Sequence, residues 1–99
     1  MNKTLWSDCV GAGWRNVVDK AVADIQECEG GYVVQVKEKF GGLRIYAYGE
    51  GVDEICDRAE KAVKNVCEFC GRDGKIHTIR GWYKTLCEDC HKEFLDAGN

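Results

Sequence analysis

Two cysteine pairs in the last third of the chain constrain its fold more than any other feature. Cys67 and Cys70 form the first pair, and sixteen residues separate it from the second pair, Cys87 and Cys90. Two residues between paired cysteines let both sulfurs face one point, about 2.3 Å from a zinc ion, as tetrahedral coordination requires. This paired spacing is among the most specific metal-binding signals in a sequence. The pattern therefore predicts one structural Zn2+ ion bound by all four thiolates.

The residues around the two pairs favour the same site. Gly71 follows the first pair, as expected for a tight knuckle, and the second pair opens a predicted helix. The dipole and free N–H groups at a helix N-terminus favour thiolate over thiol. Iron or an iron–sulfur cluster is the alternative metal, and four buried or redox-active thiols are the alternative without one. A closed four-thiolate site has no open position for water or substrate, so we expect a structural site and no enzymatic activity there.

Composition excludes several other classes of protein. The chain has 99 residues, of which 44% are apolar and 31% charged, and this balance is typical of one globular domain rather than a disordered chain. It contains no stretch of about 18 apolar residues and no apolar core near its N-terminus, so neither a membrane span nor a secretory signal is predicted. Its seven cysteines, an odd number, argue against a disulfide framework and favour the reducing cytoplasm.

Hydrophobic periodicity predicts two helices around a β-hairpin in the first two-thirds of the chain. Apolar side chains recur at a spacing of three and four over residues 14–28 and 53–66, which gives each helix one apolar face. Residues 32–48 alternate apolar and polar side chains and are predicted to form the hairpin. Gly41-Gly42 is the predicted turn, and Asp53 is predicted to cap the second helix.

The last third, residues 67–99, is predicted to be a zinc-binding module. Its expected order is a glycine-containing knuckle, two short strands around Gly81 and a helix that ends at Gly98, which resembles a treble-clef finger. We therefore expect a single α+β domain over residues 1–99, with helices packed on one sheet face in residues 1–66.

Several other residues are predicted to have packing roles. Trp14 is expected to begin the first helix and to lie in the core, and Trp82 is expected to cover the zinc knuckle. Cys9, Cys28 and Cys56 are interpreted as small apolar fillers, because their spacing does not indicate a second metal site.

Positive side chains are concentrated in two segments of an otherwise acidic chain, whose formal net charge is −3. Three flank the glycine turn of the hairpin, and residues 67–86 carry four against two acidic residues. With nearby aromatic residues they predict a basic binding face, and an ordinary solvated hairpin with buried aromatics is the alternative. The residues predicted to contact a protein partner or nucleic acid are Lys37, Lys39, Arg44, Arg72, Lys75, Arg80, Trp82 and Lys84.

The segment LCEDCH, residues 86–91, resembles the end of a zinc-bearing HNH nuclease motif. That motif needs a metal-binding His-His or Asp-His pair, then an Asn and a final His. Here Ile76 precedes His77, only His91 lies near the final position, and no Asn intervenes. A degenerate nuclease is therefore the third functional hypothesis, after protein binding and nucleic-acid binding.

Four motifs spread over nearly the whole chain resemble those of a family of small uncharacterised phage and bacterial zinc-binding proteins. They are Gly13-Trp14, VVQVKEKFGGLRIY at 33–46, CEFCGRDG at 67–74 and GWYKTLCEDC at 81–90. The resemblance implies a phage or prophage accessory protein that acts in the cytoplasm of a bacterial host cell. It also implies that the hairpin and the zinc module act as one unit and that a host protein is the expected partner.

Overall fold

A computed structural model describes residues 5–97 of the chain, and the α+β class predicted from the sequence is confirmed. Two short 3-10 helices lead into three α-helices and two antiparallel hairpins. No helix among the described residues is long and apolar enough to cross a bilayer. The 3-10 helices are Trp6–Cys9 and Ala12–Trp14, the α-helices are α1 (Arg15–Glu27), α2 (Val52–Ala62) and α3 (Glu88–Ala97), and the strands are β1 (Tyr32–Lys39), β2 (Gly42–Tyr48), β3 (Lys75–Ile79) and β4 (Trp82–Leu86).

The first hydrophobic core lies between the β1–β2 hairpin and the helices α1 and α2. Val36, Leu43 and Ile45 point from the strands toward the helices, since alternate side chains of a strand share one face. Trp14 is fully buried, as predicted, and its indole Nε1 donates a hydrogen bond of 2.8 Å to the carbonyl of Val66. The other buried members of this core are Val10, Val18, Ala21, Ile25, Val52, Cys56, Ala59 and Val63.

Both hairpins have the same two-residue turn. Phe40 and Gly41 have φ angles of 54° and 79°, and Arg80 and Gly81 have φ angles of 52° and 83°. Positive φ at both central residues defines a type I′ turn, whose twist matches that of the flanking strands. The predicted turn Gly41-Gly42 is therefore wrong by one residue, because Gly42 already pairs with Lys39 in the sheet.

The helix α2 also differs from its prediction at both ends. It is preceded by Gly51 in the left-handed region, at a φ of 77°, and Asp53 lies in its first turn without capping it. It ends at Ala62 rather than residue 66, because Val66 forms an isolated bridge with Asp73 and accepts the indole hydrogen bond. The chain leaves the helix early so that it can enter the cysteine knuckle.

A second, smaller core lies in the last third of the chain, around the cysteine pairs. Ile79 and Leu86 pack on Cys67 and Cys87, and Cys90 and Phe94 are half-buried beside them. The helix α3 is described as far as Ala97, so its predicted end at Gly98 lies outside the described residues.

Of the predicted packing roles other than that of Trp14, two are wrong, that of Cys56 is confirmed, and Cys28 packs half-buried against the first core. Trp82 has 74% of its surface exposed and does not cover the knuckle, because Ile79 and Leu86 occupy that position. Cys9 is exposed, whereas Cys56 is buried in the first core as predicted.

Candidate metal centre and surrounding surfaces

The four cysteines identified from their spacing converge on one point. Their sulfurs all lie within 4.8 Å of one another, and the Sγ atoms of Cys70 and Cys87 are 3.5 Å apart. A tetrahedral zinc ion with Zn–S distances of about 2.3 Å places its sulfurs about 3.8 Å from one another. All four cysteines are free thiols rather than disulfide partners. The donor set and its spacing therefore fit a four-thiolate metal site.

The backbone around the first pair forms a tight knuckle. The amide of Cys67 donates a hydrogen bond of 2.7 Å to the carbonyl of Arg72, and the amide of Gly71 donates one of 3.0 Å to the carbonyl of Cys67. Gly71 has a φ of 84°, in the left-handed region that glycine adopts without strain. This closure folds the chain back after Cys70 and directs both sulfurs to the same side.

The second pair lies where a strand gives way to a helix. Cys87 follows β4 directly, and Cys90 lies in the first turn of α3. The amide of Cys90 donates a hydrogen bond of 3.4 Å to the Sγ atom of Cys87. Because the first N–H groups of a helix have no carbonyl partner within it, they can stabilise a thiolate at this position.

The four sulfurs do not ionise equally. Burial opposes ionisation of Cys67, but backbone N–H groups of Cys87, Cys70 and Phe69 donate to its sulfur and lower its pKa to about 7. Burial raises the pKa of Cys90, and the neighbouring sulfurs of Cys87, Cys67 and Cys70 raise it further. Negative charge on one sulfur disfavours charge on the next, so a bound cation is needed to hold all four as thiolates.

Glu68, which lies between the first two cysteines, joins the knuckle to the N-terminal loop. Its carbonyl accepts a hydrogen bond of 2.7 Å from the amide of Gly13, and its carboxylate accepts one of 3.3 Å from the amide of Gly11. Its own amide donates to the carbonyl of Thr85 at 2.9 Å. Glu68 is buried, so these contacts fix the knuckle against both the N-terminal loop and β4.

The side chain of Lys84, on the second hairpin, forms an ion pair with Glu38 on the first hairpin. Its Nζ atom lies 3.1 Å from Oε1 of Glu38 and 3.4 Å from Oε1 of Glu68. Burial alone would lower the pKa of Lys84, but the two carboxylates outweigh it and the pKa is raised. Nearby, the hydroxyl of Thr85 donates a hydrogen bond of 2.7 Å to the carbonyl of Gly41. Lys84 is thus bound within the chain rather than presented on an open basic face.

The two histidines, far apart in the sequence, stack on each other. Their ring centroids are 3.7 Å apart, and Nε2 of His77 lies 3.2 Å from the carbonyl of Leu86. Burial and the neighbouring His91 lower the pKa of His77. Among residues 5–97, the four cysteines are the only group of three or more side chains placed to share a metal ion. In this part of the chain the two histidines are therefore not grouped with a carboxylate in a shared metal site.

The remaining predicted binding residues do not form one continuous face. Lys37, Lys39 and Arg44 project from the β1–β2 hairpin, and Lys37 lies directly opposite Arg44 in the sheet. Arg72 forms an exposed ion pair of 3.3 Å with Asp89 on α3. Lys75 is exposed on β3, at the end of the second hairpin away from its turn.

Exposed side chains, three of them aromatic, lie at and beside the turns of the two hairpins. We call them the hairpin-tip surface: Lys39, Phe40, Arg80, Trp82 and Tyr83. Phe40 is 65% exposed, and its ring meets that of Tyr83 edge-on at a centroid distance of 6.2 Å. Sequence reasoning assigned Phe40 no role, because a turn position beside glycines gives no signal for recognition. The exposure of this residue becomes apparent only once the backbone conformation of the turn is known.

Comparisons with models of protein families, with curated proteins and with solved structures found no match to this chain.

Proposed function

We propose that this chain is a non-enzymatic binding protein whose fold is held by a zinc ion. In this proposal Cys67, Cys70, Cys87 and Cys90 bind the ion and hold the knuckle, hairpin and helix as a treble-clef-like module. The observation that carries it is the convergence of four sulfurs within 4.8 Å, at a spacing that suits tetrahedral thiolate coordination. The bound ion would supply a cross-link and the positive charge that stabilises four thiolates.

The energies involved favour a structural role for such a site. A domain of about 100 residues has a net stability of roughly 5–15 kcal/mol, and apparent zinc-binding free energies in small modules reach about 10–16 kcal/mol. The second core contains few buried side chains besides the cysteines. Without the cross-link, this core would not offset the conformational entropy of ordering residues 67–97.

The partner that we propose is a protein of the bacterial host, bound at the hairpin-tip surface. Phe40 occupies a left-handed backbone position that costs about 1–2 kcal/mol for a residue with a side chain. An asparagine there would fold with less strain, so a phenylalanine kept exposed at this position favours a role in recognition. Exposed aromatic and arginine side chains are typical anchors of protein interfaces, and Lys39 and Arg80 suit a partner with carboxylates nearby.

The substitution Phe40→Asn separates recognition from folding. It removes the aromatic ring and installs the residue that type I′ turns prefer, so we expect stability to rise by about 1 kcal/mol while partner binding falls. If Phe40 had a purely structural role, Phe40→Asn would lower both the stability of the fold and the binding of the partner. The measurement pairs urea unfolding with affinity capture from bacterial lysate, using Lys75→Gln as a control for general surface charge.

The expected result is a specific host protein that is retained by the wild type and by Lys75→Gln and is lost from Phe40→Asn and Trp82→Ala. Two results would refute the proposed partner. Either the bait at micromolar concentration recovers no specific protein, or the wild type and the three variants retain the same protein equally. A negative result would refute the proposed partner but not the proposed metal site, because the zinc content of each purified protein is measured separately.

A further inference from the structure

The β1–β2 hairpin has one covered face and one open face. The helices α1 and α2 pack on the face that carries Val36, Leu43 and Ile45. Side chains of the intervening positions point the other way, and a register shift between Val33 and Gln35 brings Tyr32, which pairs with Tyr48, to that same side. We call this opposite side the open face, and it consists of Tyr32, Gln35, Lys37, Lys39, Arg44, Tyr46 and Tyr48.

The charge of the open face is the reverse of that of the whole chain. It carries three cations and no carboxylate, although the formal net charge of the chain is −3. Lys37 and Arg44 face each other across the two strands, an arrangement in which like charges destabilise a sheet. None of the three cations forms an ion pair in the part of the chain that the structure describes. The positive potential of this face is therefore not neutralised from within.

Three tyrosines share the open face with these cations. Tyr32, Tyr46 and Tyr48 have between 43% and 62% of their surfaces exposed. The rings of Tyr32 and Tyr48 lie 5.5 Å apart, and Nζ of Lys37 lies 5.6 Å from the ring centroid of Tyr46. Aromatic rings beside cations on one accessible sheet face form a platform on which unpaired bases can stack while phosphates bind the cations.

We propose that the open face binds single-stranded nucleic acid. Lys37, Lys39 and Arg44 bind the phosphates, and Tyr46 and Tyr48 stack against the bases. This surface is distinct from the hairpin-tip aromatics that we assign to a protein partner, so the two proposals can fail separately. Lys39 borders both surfaces and therefore does not distinguish them.

A neighbouring cleft limits the path that a strand can take. Tyr46 and Tyr48 also line a cleft of about 570 Å³ whose far wall, on α2, carries Asp53, Asp57 and Glu60. These carboxylates repel phosphates, so we place the phosphates over Lys37, Lys39 and Arg44, at the turn end of the hairpin, and the uncharged bases over Tyr46 and Tyr48, beside the cleft. A duplex carries phosphates on both sides and has no free base faces, so it fits this arrangement less well.

The cations alone would also attract an acidic peptide. The tyrosines distinguish the two ligands, because base stacking on an aromatic ring contributes about 1–3 kcal/mol for each base. A polyglutamate chain has no flat ring to place there. The substitution Tyr46→Ala leaves the charge of the face unchanged. If it weakens binding, the ligand is a nucleic acid rather than an acidic protein segment.

The test uses zinc-loaded full-length protein and fluorescently labelled single-stranded oligonucleotides of roughly 12 nucleotides, oligo(dT) and oligo(U), titrated at several salt concentrations. Three phosphate contacts predict a slope of log K against log salt of about −2. The same titrations are made with a duplex of equal length and with labelled polyglutamate.

Two variants probe the two halves of the proposed surface. Lys37→Gln should reduce the magnitude of the salt slope to about 1.4, because one phosphate contact is lost. Tyr46→Ala should weaken binding about 5- to 150-fold and leave the slope unchanged. Lys75→Gln and Trp82→Ala remove an exposed cation and an exposed aromatic ring from outside the open face, and we expect both to bind like the wild type. Circular dichroism and the zinc content of each variant show whether it is folded.

Three results would overturn the proposal. The first is no saturable binding of either oligonucleotide by folded protein at low salt. The second is equal loss of binding in Lys37→Gln and Lys75→Gln, which would indicate attraction to the whole surface rather than to this face. The third is tighter binding of duplex or of polyglutamate than of the single strands.

Discussion

The contact between Gly13 and the cysteine knuckle offers a sharp test of how the two parts of the chain depend on each other. A Cβ atom added at Gly13 would lie 2.5 Å from the amide nitrogen of Gly71 and 2.7 Å from the carbonyl oxygen of Glu68, and closer still to the carbonyl oxygen of Cys67. All three are backbone atoms, so none can move aside cheaply. Gly13 does not have a positive φ, and Gly13→Ala therefore probes close approach rather than backbone strain.

The expected effect of Gly13→Ala follows from three contributions. Forcing extra volume into a packed contact costs about 1–3 kcal/mol. Displacing the loop also weakens the hydrogen bond of 2.7 Å from Gly13 to Glu68, which contributes about 1 kcal/mol. Loss of glycine flexibility in the unfolded chain offsets about 0.4–1 kcal/mol of this. We expect a net destabilisation of about 2–3 kcal/mol, or a fall in Tm of roughly 8–24 °C.

Urea unfolding of the zinc-loaded protein measures this loss, with Gly42→Ala as the matched control. The control makes the same chemical change where the nearest atom is the end of the Arg44 side chain at 3.4 Å, so we expect a change within about 0.5 kcal/mol. If the metal organises the knuckle, Gly13→Ala should cost almost nothing in a Cys70→Ser background. Equal stability of Gly13→Ala and wild type, or an unchanged cost in that background, would refute the linkage between loop and metal site.

The other predictions concern the four cysteines, a strained turn and the half-buried Lys84. Cys70→Ser should unfold the zinc module, so amide protection should disappear over residues 67–95, and preserved protection there would contradict a structural metal. Arg80→Asn should stabilise the chain by about 1 kcal/mol in urea unfolding by relieving a φ of 52°, and a loss of stability would show that the arginine side chain holds the turn. Lys84→Met should destabilise it by about 2–4 kcal/mol because it leaves the buried Glu68 without a cation, and unchanged unfolding would show that this link contributes nothing.

The cluster of four cysteines could be predicted from the sequence because its signal is local. Two residues between paired cysteines and a glycine after the first pair determine where each pair of sulfurs points, whatever surrounds them. The β1–β2 hairpin was predictable for a similar reason, since alternation along Val36, Leu43 and Ile45 reports which residues face a core, although the register shift between Val33 and Gln35 leaves Val34 exposed. Its turn was misplaced by one residue because glycine pairs are favoured in turns, whereas the pairing of Lys39 with Gly42 determines the actual turn.

What could not be predicted depends on contacts between distant residues. Glu68 meets Gly11 across 57 positions, and Lys84 meets Glu38 across 46. No local sequence pattern indicates that Glu38, Glu68 and Lys84 are partly or fully buried. The early end of α2 has the same origin, because the bond from Trp14 to the carbonyl of Val66 draws the chain out of the helix. A linear count of basic residues likewise could not separate Lys84, which is bound inside, from Lys37, which faces solvent.

Native mass spectrometry of the folded chain, purified without chelators, tests the central claim most directly. We expect one zinc ion per monomer, and we expect that ion to be absent from Cys70→Ser and retained by Cys56→Ser. A folded wild-type monomer that carries no metal would show that the four sulfurs do not need one, and the proposed zinc-dependent architecture would then be wrong.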